Sequence, residues 1–222
     1  MKKIISFSLW GDDPKYIEGA FRNIELCKKI YPDWVLRFYL HKGLDKKILD
    51  KFLTIQHFHP KYLEVIFVDI EANWTSMFWR LFPHRDEDVE CFICRDCDSR
   101  LNEREASAVQ EWMESDKSVH IMRDHPHHGY AMLGGMIGFK KSFFGKIKEA
   151  MSLFNPEDKY GTDYVFFHNF LYPLANDDIL THDEFFDKKP FPTKREKDQF
   201  VGQVFDEHEN TPQEHIDALN SA

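Results

Sequence analysis

The chain lacks several features that would assign it at once. No run of about eighteen apolar residues occurs, which excludes a transmembrane helix. The opening MKKIISFSLWGDD carries charge, but its apolar stretch is too short for a secretion signal. Basic charge is in deficit, with 29 Lys and Arg against 38 Asp and Glu and a net charge of −9. That balance argues against a general nucleic-acid-binding surface while leaving room for a local basic pocket for phosphate. A soluble, cytoplasmic protein with a small-molecule partner is the expectation. Glycines number ten, and the turn after the first predicted strand has no spaced-glycine fingerprint, so a dinucleotide-binding dehydrogenase is unsupported. Only four cysteines occur, at Cys27, Cys91, Cys94 and Cys97. A strand would send Cys91 and Cys94 to opposite faces with no fourth thiol nearby, so reduced, buried thiols are expected rather than a zinc site.

What is present, 222 residues of which 42% are hydrophobic and 15% aromatic, suits one substantial core. The pattern predicts strands over residues 3–10, 34–41 and 64–69, with helices over 15–30 and 44–54 between them. This βαβαβ rhythm predicts an α/β domain with a mainly parallel sheet. The domain should occupy residues 1–187, followed by an extension over 188–222 that is charged, proline-interrupted, and expected to be partly a lid and partly disordered.

The most informative stretch is VECFICRDCDSRLN, residues 89–102. An apolar run of strand length ends abruptly in Arg95, Asp96, Cys97 and Asp98, which places two carboxylates at a strand's C-terminal end. In an open α/β sheet that end faces the ligand crevice. One residue apart, Asp96 and Asp98 point the same way when extended, and their like charges call for a hard divalent cation. A turn, or a cap for the helix predicted over 103–114, is the competing reading, and the two are compatible.

Upstream, NWTSMFWRLFP has Met77, Phe78, Leu81 and Phe82 at helical spacing around Arg80, which must find an anion or reach solvent. A short strand over 118–122 leads into Arg123, Asp124, His125, His127 and His128. Residues 131–139, AMLGGMIGF, read as a strand in which Gly134 and Gly135 leave room for a ligand or form a bulge. KYGTD leads into an aromatic helix with Asp163 at its start, where it can cap the helix or face the crevice. A last short element over 178–181 presents His182 and Asp183.

Together the N-terminal strand and turn, Arg80, the Asp96-x-Asp98 pair, Gly134-Gly135, Gly161-Thr162-Asp163 and His182 resemble a GT-A-type nucleotide-sugar glycosyltransferase. More narrowly, RDCDSRLNEREASAVQEW, HIMRDHP and LGGMIG are similar to a group of bacterial and viral glycosyltransferases. The resemblance implies transfer of a hexose-like sugar from a nucleoside diphosphate sugar to a hydroxyl acceptor such as a glycan, with Mn2+ or Mg2+ as cofactor. It implies Asp96, Asp98 and His182 as metal ligands, and Trp10, Arg80, Asp96, Gly134 and Gly135 at the donor. Asp163, with Asp124 second, would be the catalytic carboxylate. The alternatives are a metal-dependent hydrolase of phosphate esters or glycosides, and a non-catalytic nucleotide-sugar or carbohydrate-binding protein.

Overall fold

The computed structural model describes residues Met1–Ala222. Its centre is a seven-stranded sheet made of β1 (Lys2–Leu9), β2 (Val35–His41), β3 (Leu63–Val68), β4 (Val89–Cys94), β5 (Val119–Arg123), β6 (Ile137–Lys140) and β7 (Ile179–Asp183). The strand order is β3-β2-β1-β4-β6-β5-β7. Only β6 runs antiparallel to its neighbours, pairing Ile93 with Gly138 and Ile121 with Ile137. The expected mainly parallel α/β sheet is therefore what forms. The first strands after the chain start lie on one side of β1, and the switch to β4 on its other side opens the crevice where such sheets bind ligands.

The helices are α1 (Pro14–Ile30), α2 (Lys46–Phe58), α3 (Glu103–Glu114), α4 (Phe144–Leu153), α5 (Thr162–Phe166), α6 (Tyr172–Ala175) and α7 (Gln213–Asn220), with a 3-10 helix over Trp74–Arg85 and one π turn over Phe167–Leu171. Their starts follow local chemistry. Asp13 accepts from the Lys15 amide with Pro14 in the first turn, Asp45 accepts from the Lys47 amide, and Asn102 from the Glu105 amide. Asn73 and Ser76 cap the 3-10 helix reciprocally.

Alternation along β1 sends Ile5, Phe7 and Leu9 into a core shared with α1, α2 and α3, while Ile4 joins a second core on the other face, with α4, α5 and the 3-10 helix. Cys91 and Cys94 divide between the same two cores, and all four thiols are free and buried. Phe92 and Phe139 meet across the β4–β6 pair with ring centroids 5.4 Å apart, a cross-strand contact of the kind that stabilises sheets. No helix is long and apolar enough to cross a membrane.

The residues after β7 carry little regular structure but pack closely. Phe191, Phe200 and Val201 are buried, and the Phe205 amide donates to the Asp98 carbonyl at 2.8 Å. Residues 131–136 are turn and loop rather than strand, since β6 begins only at Ile137.

Candidate active site

The strand β4 ends at Cys94, and the chain turns at once, with the Ser99 amide donating to the Asp96 carbonyl at 3.2 Å. Asp96 and Asp98 thus stand in a turn rather than in extended chain, and both still line one cleft. Three elements hold this turn. From α1, Asn23 donates to the Ser99 carbonyl at 2.8 Å and accepts from the Leu101 amide at 3.0 Å. Gly19 of α1 lies so close to the Cys97 carbonyl that an added Cβ would stand 2.0 Å from it. From behind, Arg95 points away from the cleft and pairs with Glu105 of α3 at 2.9 Å, with Tyr31 donating to the same carboxylate. From the C-terminal stretch, Ser99 pairs with Val204, and Arg100 reaches Glu209 at 2.8 Å.

The cleft has a volume of about 480 Å3, within the range of small-molecule sites. Trp10, Asp12, Asp13 and Tyr16 line it together with Asp96, Asp98, Gly134 and Gly135. Asp163, Tyr160 and Tyr164 enter from the α5 side, and His125, His127, His128, Phe200 and His215 complete the rim. Trp10, Arg80, Asp96, Asp98, Gly134, Gly135 and Asp163 are therefore brought together.

Arg80 ties this arrangement together. Its backbone amide bonds Ser8 of β1 at 2.9 Å, its guanidinium is buried, one terminal nitrogen pairs with Asp96, and the other donates to Asp163 at 2.9 Å. Burial opposes its charge, but Asp96 and Asp163 outweigh that and hold its pKa above the usual value. The two glycines make space for this pairing. A Cβ on Gly134 would stand 1.9 Å from an Arg80 nitrogen, and one on Gly135 1.9 Å from an Asp96 oxygen. Their backbone φ angles are ordinary, so the requirement is room, which the side chains of Arg80 and Asp96 take up.

Asp98 has weaker compensation. Its side chain is 14% exposed and its nearest cation, Lys15, is 3.6 Å away. Burial, reinforced by the Asp96 charge and only partly offset by Lys15, raises its pKa to about 6, since desolvation and like charge both disfavour the ionised form. Burial likewise pushes Asp163 above its ordinary range despite Arg80.

Two expected site residues lie elsewhere. His182 sits on β7 opposite Met122 of β5, and strand alternation turns it to the α3 side of the sheet with His120. There its Nδ1 is 2.8 Å from His120 Nε2, its ring packs on Phe191, and it does not line the cleft. Asp124 is wholly buried and fully engaged. It accepts from Arg104 through both oxygens, from Arg195 at 2.6 Å and from the Val201 amide at 2.9 Å, tying the C-terminal stretch to the body.

A histidine cluster takes the place at the rim that His182 does not reach. His125 accepts from the His127 amide on Nδ1 and donates through Nε2 to the His215 carbonyl, and His128 Nδ1 accepts from the Asp124 amide. Burial lowers the His125 pKa and takes that of His128 to about 3, so both rings are neutral and committed. The rings of His127 and His215 carry no such backbone bonds, and their centroids are 5.8 Å apart. His215 lies in a helix with no motif around it, so nothing short of the fold could have singled it out.

The residues fit a hard divalent cation in a limited way. Nowhere are three His, Cys, Asp or Glu side chains gathered as a complete ligand set. Two carboxylates, one of them poorly compensated, suit an ion that completes its sphere with water and ligand phosphate.

No family model matches the chain, and no curated protein does. Solved structures do match in fold. One is a glycosyltransferase involved in glycosylation of the major capsid of PBCV-1, at 14% identity and a TM-score of 0.50 over 83% of each chain. A second is a mannosyltransferase from Pyrobaculum calidifontis in complex with GDP-Man and Mn2+, at 12% identity and a TM-score of 0.53 over 85% of this chain and 58% of that one. A third, 4-diphosphocytidyl-2C-methyl-D-erythritol synthase from Anaerococcus prevotii, matches at 11% identity and a TM-score of 0.52 over 99% and 97%. At these identities the likeness concerns the fold, a GT-A-like α/β sheet, and function has to be argued from the site.

Proposed function

We propose that the chain is a metal-dependent glycosyltransferase that moves a sugar from a nucleoside diphosphate sugar to a hydroxyl acceptor, a glycan in the simplest case. The observation that carries this reading is the cleft beyond the strand ends, in which Asp96, Asp98 and Asp163 converge around buried Arg80. Support comes from fold neighbours named as glycosyltransferases, one of them holding GDP-Man and Mn2+.

In this account Asp98 and Asp96 hold Mn2+ or Mg2+, and His215 is one of four histidines, with His125, His127 and His128, that line the same cleft. The bound ion would neutralise charge on the departing diphosphate. Arg80 is a positioning residue, because both its terminal nitrogens are committed to carboxylates. It orients Asp96 towards the donor and Asp163 towards the acceptor. Trp10 and Tyr16 wall the donor side. Asp163, with its carboxyl raised by burial, takes the proton of the acceptor hydroxyl if configuration inverts, and stabilises the sugar cation if it is retained. Residues 188–222 act as a lid-like extension of the domain over 1–187.

The test is release of nucleoside diphosphate from UDP-, GDP-, CDP- and dTDP-sugars in the presence of Mn2+. One nucleotide family should turn over, and Asp98→Ala should lower that turnover by about 100-fold or more with the fold intact. Turnover that is indifferent to Asp98→Ala, or absent with every donor, would overturn the proposal.

A further inference from the structure

A row of four aromatic side chains leaves the cleft on the side of Asp163. Trp74 and Tyr160 meet edge to face at 5.2 Å, Tyr160 and Tyr164 at 6.3 Å, and Tyr164 stacks on Tyr130 at 4.8 Å with the planes 16° apart. Trp74, Tyr160 and Tyr164 line the cleft, and Tyr130 continues the row outwards. The row is not core, since Trp74 is 41%, Tyr130 53% and Tyr160 70% exposed. For side chains of this size such exposure is a cost that the fold does not require.

Local structure presents the row with some rigidity. The Trp74 amide donates to Asp158 at 3.0 Å, linking the start of the 3-10 helix to the loop that carries Tyr160. Gly161, at φ +80°, turns that loop into α5, and the Thr162 amide closes the turn on the Lys159 carbonyl at 3.2 Å. Tyr160 is therefore held outwards on a defined turn, three residues before Asp163. Tyr164 follows Asp163 directly, so the row passes beside the carboxylate assigned to the acceptor.

We infer that this row is a stacking platform for the pyranose rings of a carbohydrate acceptor. This rests on the transferase reading of the cleft and gives its glycan acceptor a binding surface. The face of an aromatic ring is electron-rich and its apolar area is large. A pyranose offers a matching face of polarised C–H bonds and carries hydroxyls at its edge, within reach of tyrosine O–H groups. A row of several rings suits a chain of sugars, with the terminal residue directed to Asp163. In the proposed reading the donor lies instead against Trp10 and Tyr16, which line the same cleft.

The experiment is saturation-transfer NMR on the full chain with methyl α- and β-glycosides of glucose, galactose and mannose and their disaccharides, run without nucleotide. Saturation of aromatic protons should pass to the C–H protons of at least one of these sugars. Tyr160→Ala should weaken that binding about threefold to tenfold, and Tyr160→Phe should retain it. Tyr130→Ala, outside the cleft lining, should weaken glycoside binding likewise and leave nucleotide-sugar affinity that of the unsubstituted chain, and its exposure of 53% keeps the fold out of the comparison. Absence of transfer to any glycoside, unchanged binding in Tyr160→Ala, or a parallel loss of donor affinity in Tyr130→Ala would each overturn the inference. Glycoside binding with no turnover of any nucleotide sugar would instead overturn the transferase reading and leave the platform standing.

Discussion

Asp98 and Asp96 share a turn, yet their surroundings differ. Arg80 neutralises Asp96, whereas Asp98 has only Lys15 at 3.6 Å and is largely buried. Its pKa of about 6 lies above the ordinary carboxylate value of about 4, so the folded chain holds this proton more tightly than the unfolded chain. The contribution of Asp98 to stability therefore falls as pH rises from about 4 to about 6 and is constant above. Asp98→Asn removes that penalty and should raise stability by about 1–3 kcal/mol at pH 7.5, with no gain at pH 4. Thermal melts of both proteins at the two pH values check this, and a gain that is equal at both would contradict it. Affinity for Mn2+ should rise over the same interval, because the ion displaces the proton. The pair was legible because an apolar run ends abruptly in charge. Arg80 was legible from its surroundings as a charge needing an anion and from the resemblance as a donor contact, and the fold pairs it with Asp96 and Asp163.

At the scale of elements, the C-terminal stretch depends on Asp124. Removing this carboxylate would leave Arg104 buried without its main partner and free Arg195 and the Val201 amide. Asp124→Ala should cost about 3–5 kcal/mol of stability and increase amide exchange over residues 195–205. Unchanged stability with activity lost would return Asp124 to the role of base. These partners could not be read from the sequence, since they come 20 residues earlier and more than 70 later. The same non-local placement hid His182, whose face is set by pairing with β5. Residues 131–139 misled for a local reason. Their composition is that of a strand, but Gly134 and Gly135 are needed where Arg80 and Asp96 approach, and pairing starts only at Ile137.

For the whole molecule, the alternation of strand and helix up to β4 was read from periodicity, as was helix α3 with its Asn102 cap. Periodicity did not reveal that β6 inserts antiparallel between β4 and β5, because strand neighbours are chosen by tertiary packing. It also did not show that residues 200–215 return to the cleft, where Phe200, Gly202, Val204 and His215 form part of its lining. The cleft is thus assembled from the first strand, the centre and the last helix of the chain. A ligand filling it should stabilise the entire fold by mass action.

The most direct test of a metal-assisted nucleotide site in this cleft is the thermal midpoint with GDP, UDP, CDP or dTDP, each with and without Mn2+, at pH 7.5. At a ligand excess of about 100-fold over Kd, one nucleotide family should add about 2.7 kcal/mol of stability, a rise of roughly 5–10 °C, and only with the metal. No rise with any nucleotide, or the same rise without metal, would contradict it.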